Sequence, residues 1–325
     1  MRVAITLVVR DEADLVEDWL KYHLALGVDQ LIVTDHRSVD GTSDVLAGYA
    51  GDRVRVIRED AHEMRQAEWV TRMARLAATD HGVDWVIHSD ADEFWWPRDG
   101  SVQDLLGAVP ERFGAVRGLW RQFVLRPDGI SPFWERMTVR CRPAAELASP
   151  YHAQIKIVHR ASPDVVVSEG NHDAFGVGAL VREWLPFEVL HFPLRTEAQL
   201  ADKFFRRRAI LGGEHIETAI RRLDSDGPTA LHRSLLFDDA AVEQGLANGA
   251  LVEDVRLRVA LTTLRAGEIE LPTWTATLAD DVDLMLDFQS ALARDSWVGL
   301  DRRAAGLERA IARLEGSASL GRTDR

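Results

Sequence analysis

The chain has 325 residues, a formal net charge of −13, a hydrophobic fraction of 46% and a charged fraction of 28%. An acidic chain whose densest basic run is Arg206-Arg207-Arg208 does not fit a protein held to nucleic acid through phosphates. Its one cysteine, Cys141, excludes an internal disulfide framework and a cysteine zinc site.

Residues 3–9 predict a buried strand that meets Arg10-Asp11-Glu12 at once, unlike a signal peptide. No apolar run approaches the roughly 20 residues that cross a bilayer. The expectation is a cytoplasmic protein with no transmembrane segment. Asp14 suits the cap of a helix with Leu15, Trp19, Leu20 and Leu24 at three-four spacing, stopped by Gly27. A second strand is predicted over 30–34, ending at Asp35-His36-Arg37-Ser38. Asp40-Gly41-Thr42-Ser43 reads as a turn and cap before a short helix to Tyr49. A third strand over 53–57, a helix over 63–78 and a fourth strand over 83–88 follow.

This βαβαβαβ order predicts an open, mostly parallel sheet covered by helices. Ligands sit beyond the carboxyl ends of such strands. Three of those ends carry Arg10 to Glu12, Asp35 to Ser38 and Asp90 to Glu93. After Pro97 the pattern predicts a short helix over 101–109 and strands over 114–125, 136–141, 154–159 and 165–167. A helix over 196–211 closes at Gly212-Gly213. The rest reads as mainly helical, with an amphipathic helix over 300–314 and a frayed tail over 317–325. The chain thus divides into an α/β domain, 1–212, and a helical C-terminal region, 213–325.

Asp90-Ala91-Asp92 follows directly on the fourth strand. In extended backbone two residues spaced by one point the same way. Two carboxylates so placed repel by on the order of 4 kcal/mol at an effective dielectric near 20, so they call for a cation. Hard oxygen donors suit magnesium or manganese, which bridge to phosphates. An acidic turn after a strand is the plain alternative.

Val9-Arg10-Asp11-Glu12, the run from Thr34 to Thr42, and Ser89-Asp90-Ala91-Asp92-Glu93-Phe94 resemble successive motifs of GT-A glycosyltransferases. The closer resemblance is to the family-2-like bacterial group related to family 92. Leu190-His191-Phe192-Pro193-Leu194-Arg195 and Lys203-Phe204 extend it, over roughly residues 1 to 210. The resemblance implies a GT-A fold, Rossmann-like with a mostly parallel central sheet, and a metal-dependent glycosyltransferase. Such an enzyme moves a sugar from a nucleotide-diphosphate sugar to a hydroxyl acceptor, here in glycan or cell-surface polysaccharide synthesis.

By position the resemblance puts Glu12 and Asp35 on the base and ribose, beside Arg10. It puts Asp90 on the ribose or the metal, and Asp92 on Mn2+ or Mg2+ with His191 as a further ligand. Arg195 and Lys203 would serve the diphosphate. An inverting transfer needs a base for the acceptor hydroxyl; Asp173 or Glu169 is expected, with Glu93 a further candidate. Two departures stand out: Asp35 is followed by His36 rather than a second acid, and Arg10 stands where relatives often have Asn.

Plain alternatives remain for these residues. Glu12 suits a helix start, Asp35 a turn, and His191 a packed position between Leu190 and Phe192. His172 reads as a ligand, a substrate contact or a turn residue; His152 and His159 read as structural. Trp95 and Trp96 either stack on a sugar ring or pack under the sheet. A sugar nucleotidyltransferase is the competing enzyme class, and it requires a glycine-rich loop with a basic residue after the first strand. Arg10-Asp11-Glu12-Ala13 has no glycine. A non-catalytic carbohydrate-binding protein on the same fold is the third possibility. The C-terminal helices are expected to shape the acceptor side or a subunit contact.

Overall fold

The computed structural model describes residues 1–142, 151–201, 229, 232–268, 270–272, 274, 277, 279–294 and 296. Its centre is β1, Val3–Val9, a run of seven buried residues rich in β-branched side chains. β1 pairs in parallel with β2, Gln30–His36, on one side and with β4, Trp85–Ser89, on the other. β3, Val54–Glu59, extends the parallel set beyond β2. The first half thus folds as its βαβ pattern predicts, a mixed α/β architecture on a mostly parallel sheet.

Alternation along β1 separates two cores. Val3, Ile5, Leu7 and Val9 face α1, Val16–Ala25, and α2, Thr42–Tyr49. Ala4 and Val8 face α3, Gln66–Thr79, through Trp69, Val70, Met73 and Ala77. Strand β2 runs two residues further than expected, because Asp35 and His36 keep pairing with Arg58 and Glu59.

The second half departs more from the sequence pattern. β5, Glu93–Pro97, was not expected as a strand, nor was β12, Phe187–His191; they pair antiparallel with each other. Between β4 and β5 lie only Asp90, Ala91 and Asp92, which form a tight turn. The sheet order is β3-β2-β1-β4-β8-β6-β12-β5, with β6 spanning Phe113–Gln122 and β8 spanning Ile155–Arg160. Edge strand β5 is covered by α1 rather than left open. The Trp19 indole donates to the Glu93 carbonyl, the Tyr22 hydroxyl to the Trp95 carbonyl, and the Trp95 amide to His23 Nε2. Trp95 and Trp96 are buried in this layer and are not a sugar platform. A Cβ at Gly118 would lie 2.5 Å from the Trp95 ring, so β6 needs glycine there.

The short helices α4, Val102–Gly107, and α5, Phe133–Arg136, and the two-residue strands β9, Val166–Val167, β10, Ala174–Phe175, and β11, Ala179–Leu180, complete the second half. Helices α6, Asp239–Ala247, and α7, Arg256–Arg265, lie in the C-terminal region, as does a helical stretch over 279–294. Against the helical expectation, β13, Leu251–Glu253, pairs with β7, Val139–Cys141. The expected helix over 300–314, most of that over 196–211 and the boundary at 212 lie outside the described residues.

Three buried histidines bear on pH. His159 Nδ1 donates to the Arg160 carbonyl, so its Nε2 accepts from His88 Nε2, whose Nδ1 accepts from the Thr6 hydroxyl (2.7, 2.9 and 2.7 Å). The chain is complete only with both rings neutral. Burial pushes His159 down to about 4, His23 down to about 3 and His88 well below its ordinary value. Depressed pKa values mean that this stability is full above about pH 6.5 and is lost as pH falls towards 4. His159 alone is worth about 3 kcal/mol by that shift. A Tm that drops steadily between pH 6.5 and 4 is expected by calorimetry. A flat Tm over that window would contradict the neutral chain.

Candidate functional site

The carboxyl ends of β1, β2 and β4 lie on one edge of the sheet, as their parallel register requires. Two non-glycine residues there adopt left-handed backbone, Asp11 at φ 51° and Arg37 at φ 56°. Such residues cost on the order of 1 kcal/mol and persist where neighbours hold them. Here Asp11 Oδ1 accepts from the Val39 amide at 2.6 Å, and Ser38 Oγ accepts from the Asp11 amide at 3.0 Å. Asp35 is buried, and its carboxylate accepts from the Ser38 amide and the Ser43 hydroxyl. His36, the departure beside it, packs on Trp69 and bonds the Ala61 carbonyl.

Glu12 and Arg195 come together. The fully buried Arg195 guanidinium donates to Glu12 and to both oxygens of Asp14. Burial works against its charge, but Glu12 and Asp14 outweigh that and raise its pKa above the ordinary value. Arg10 lies with its Nε 3.6 Å from the Asp11 carboxylate. Lys203 lies outside the described residues.

The turn after β4 sends its two aspartates to different partners, because it is not extended backbone. Asp90 Oδ2 accepts from Lys156 Nζ at 2.7 Å, and Asp90 Oδ1 accepts from Gln66 Nε2 at 2.9 Å and Asn171 Nδ2 at 3.5 Å. Asp92 lies instead beside His191, with Oδ1 3.7 Å from Nε2. Among the described residues no three His, Cys, Asp or Glu side chains gather as one ion's ligands would. Asp90 therefore stands with Lys156, apart from the Asp92–His191 pair.

The His191 ring is oriented by a relay that the sequence did not reveal. Gln122 Nε2 donates to the His152 carbonyl at 2.8 Å, which turns Gln122 Oε1 towards His191 Nδ1, also at 2.8 Å. Nδ1 then donates to Gln122, and Nε2 faces Asp92. Trp120 stacks on the same ring, centroids 3.9 Å apart and planes 17° from parallel. Its indole N–H donates to Glu93 Oε1 at 2.7 Å. Glu93 is fully buried; besides Trp120 it takes Lys156 at 2.8 Å and the Asp90 amide at 2.9 Å. Burial pushes its carboxyl up, to about 7, against the pull of Lys156. A group so enclosed holds the turn and is not placed to meet an acceptor.

Glu169 and Asp173 are both exposed on the loop after β9, Val166–Val167. Glu169 accepts from the Ala67 amide in the first turn of α3, the place a helix favours a negative charge. The backbone of Asp173 closes the loop on Ser168. Between them Asn171 reaches Asp90, and His172 bonds the Ile155 carbonyl and Gln154 with its ring 6.5 Å from Trp120. One sequence signal for the missed residues existed: Lys156 is a lone charge in the apolar run Ile155-Lys156-Ile157, which only a buried partner explains. Among the described residues no helix is long and apolar enough to cross a membrane.

No protein-family model matches the chain. Over 124 residues it is 28% identical to a glycosyltransferase family 92 protein of Oryza sativa subsp. japonica, covering 37% of this chain and 21% of the rice protein. The chain thus spans about a fifth of that relative's length. Among solved structures, glucosyl-3-phosphoglycerate synthase from Mycobacterium tuberculosis, in complex with Mn2+, UDP and phosphoglyceric acid, matches at 20% identity and a TM-score of 0.27. That match covers 37% of this chain and 43% of the other. The 4-diphosphocytidyl-2C-methyl-D-erythritol synthase of Anaerococcus prevotii matches at 11% identity and a TM-score of 0.28, over 49% and 70%. The chain is, over little more than a third of its length, a distant relative of a family 92 glycosyltransferase, and it carries a Rossmann-like mixed α/β fold.

Proposed function

We propose that the chain is a metal-dependent glycosyltransferase that moves a sugar from a nucleotide-diphosphate sugar to a hydroxyl acceptor. The observation that carries this reading is the Asp92–His191 pair at the carboxyl edge of the sheet. A carboxylate oxygen faces the imidazole Nε2 across 3.7 Å, and the bond from Nδ1 to Gln122 orients the ring. This is how a second partner orients a metal-binding histidine. The donor set fits Mn2+ or Mg2+: two ligands at ~2.1 Å from one ion can stand at that spacing, and such ions take few protein ligands when phosphates complete them. When bound, the ion neutralises the diphosphate of the donor, which an acidic chain otherwise repels.

Asp90, Glu12, Asp35 and Arg10 are assigned to the nucleotide side of the donor. Arg195, enclosed by Glu12 and Asp14, keeps Glu12 in place there and is not itself a diphosphate contact; Lys203 is assigned as the cation for the diphosphate. Asp173 is assigned as the base that takes the acceptor hydroxyl's proton in an inverting transfer; Glu169 is assigned to the start of α3. Asp173→Asn is expected to lower kcat by about 10²–10⁴ with KM for the donor little changed. Steady-state kinetics check this, and an unaltered kcat removes Asp173 from the role.

The test of the function is Mn2+-dependent hydrolysis of UDP-, GDP- and dTDP-sugars, together with thermal shifts. Turnover of at least one donor, lost on chelation, is expected. No turnover and no shift with any of them sinks the reading. Transfer of a nucleotidyl group from a nucleoside triphosphate to a sugar phosphate replaces it with the nucleotidyltransferase class.

A further inference from the structure

We propose that Lys156 is a positioning residue that holds Asp90 out of the ion's coordination sphere and so leaves the ion to Asp92 and His191. The inference rests on the reading of that pair as ion-binding and extends it to a residue no motif contains. Lys156 lies on β8 with 1% of its surface exposed. Its ammonium touches two carboxylates, Asp90 at 2.7 Å and Glu93 at 2.8 Å, and lies 5.1 Å from the centre of the Trp120 ring. Burial alone would strip its proton; Asp90 and Glu93 outweigh burial and keep it charged.

Both oxygens of Asp90 are taken by donors from three separate places: β8, the first residue of α3 and the loop at Asn171. These donors fix the orientation of the carboxylate, and turning it to an ion beside Asp92 would break its buried ion pair with Lys156. The same ammonium reaches the ion side by a second route. It holds Glu93, Glu93 accepts from the Trp120 indole, and Trp120 stacks on His191. Lys156 therefore sets both the separation of the two aspartates and the ring plane of the histidine.

The test uses Mn2+ alone, titrated into the full chain and followed by the EPR signal of free ion, with the bound waters counted by ENDOR. Wild type binds Mn2+. In Lys156→Met, Asp90 is released to the ion: Mn2+ binds about tenfold tighter and has one bound water fewer. UDP or GDP binding in the presence of Mn2+ weakens by a similar factor, since Asp90 has left the nucleotide side. A loss of structure would weaken both, so the opposite signs identify positioning. Lys156→Arg restores wild-type Mn2+ affinity.

Asp90→Asn keeps the test open if the lysine variant fails to fold. It is expected to change Mn2+ affinity by less than about fivefold, whereas Asp92→Asn weakens it about a hundredfold. A folded Lys156→Met that binds Mn2+ no tighter than wild type overturns the proposal, as does an Asp90→Asn as weak as Asp92→Asn. Failure of wild type itself to bind Mn2+ overturns the ion-binding reading, and this proposal with it.

Discussion

Asp92→Ala is expected to remove Mn2+-dependent hydrolysis of the donor, by about 10³-fold or more, while the protein stays folded. The size follows from the loss of charge stabilisation at a diphosphate leaving group, worth several kcal/mol. Folding survives because the structural work at this position belongs to the backbone: the Asp92 carbonyl accepts the Phe192 amide at 2.9 Å whatever the side chain. Hydrolysis at saturating Mn2+, with a thermal melt as control, checks both halves. Full activity in a folded Asp92→Ala would mean that the chemistry happens elsewhere. Collapse of the melt would mean that the carboxylate is a structural partner of His191.

The largest stability effect is expected at Glu188, one strand position set deep in β12. Its carboxylate is shared by Arg121 at 2.7 Å, by Arg256 at 3.0 and 3.2 Å, and by Arg98 at 3.6 Å. Arg121 and Arg256 are themselves buried, with Asp287 and Asp254 as their other partners. Glu188→Ala leaves guanidinium groups stranded in the interior and should cost about 3–5 kcal/mol. Urea denaturation gives the measurement; a loss under 1 kcal/mol would show that water or the remaining acids compensate. Burial would raise the Glu188 carboxyl, but Arg256 and Arg121 outweigh it and hold the group below the usual carboxylate range. Its contribution is therefore present at neutral pH and is lost as pH falls through the acidic range, in the same sense as the histidines. The cluster also ties the second half together: Glu188 lies three residues before His191, and Arg256 opens α7.

Much of the first half was legible because its signals are local. Apolar runs and glycine stops place β1 through β4 and their helices, and the parallel order alone brings Glu12, Asp35 and Asp90 to one edge; the expected Asp14 cap does not form, because Leu15 stands at the start of α1 and Asp14 accepts from Arg195. What stayed hidden depends on distant pairing. β5 begins with Glu93, a poor strand former by propensity; it is a strand because it pairs along its whole length with the distant β12, while Lys156 supplies the counter-charge. β12 gives no alternation to read, since all five residues are buried between β5 and β6. The expectation that Asp90 and Asp92 point the same way assumed extended backbone, and a turn replaced it. Asp92 with His191 was readable from the resemblance; Gln122 and Trp120, which aim that histidine, were not, because nothing in their neighbourhood marks them.

The three-residue link between β4 and β5 sets a mechanical limit on the whole edge. From Ser89 to Glu93 the chain can reach about 14 Å at full extension. In the sheet order β4 and β5 stand four spacings apart, about 19 Å if the sheet were flat. The sheet must curl to let the link close, and it cannot uncurl without breaking backbone bonds. Asp92 and His191 meet at the end of the β5–β12 ladder, whose last pair is His191 with Glu93, so their separation is a property of strand pairing and not of a movable loop. The rigidity has a direct signature. The Phe192 amide, which bonds the Asp92 carbonyl one step beyond the β5–β12 ladder, should exchange with deuterium as slowly as the middle of β1, although it lies at the mouth of the site.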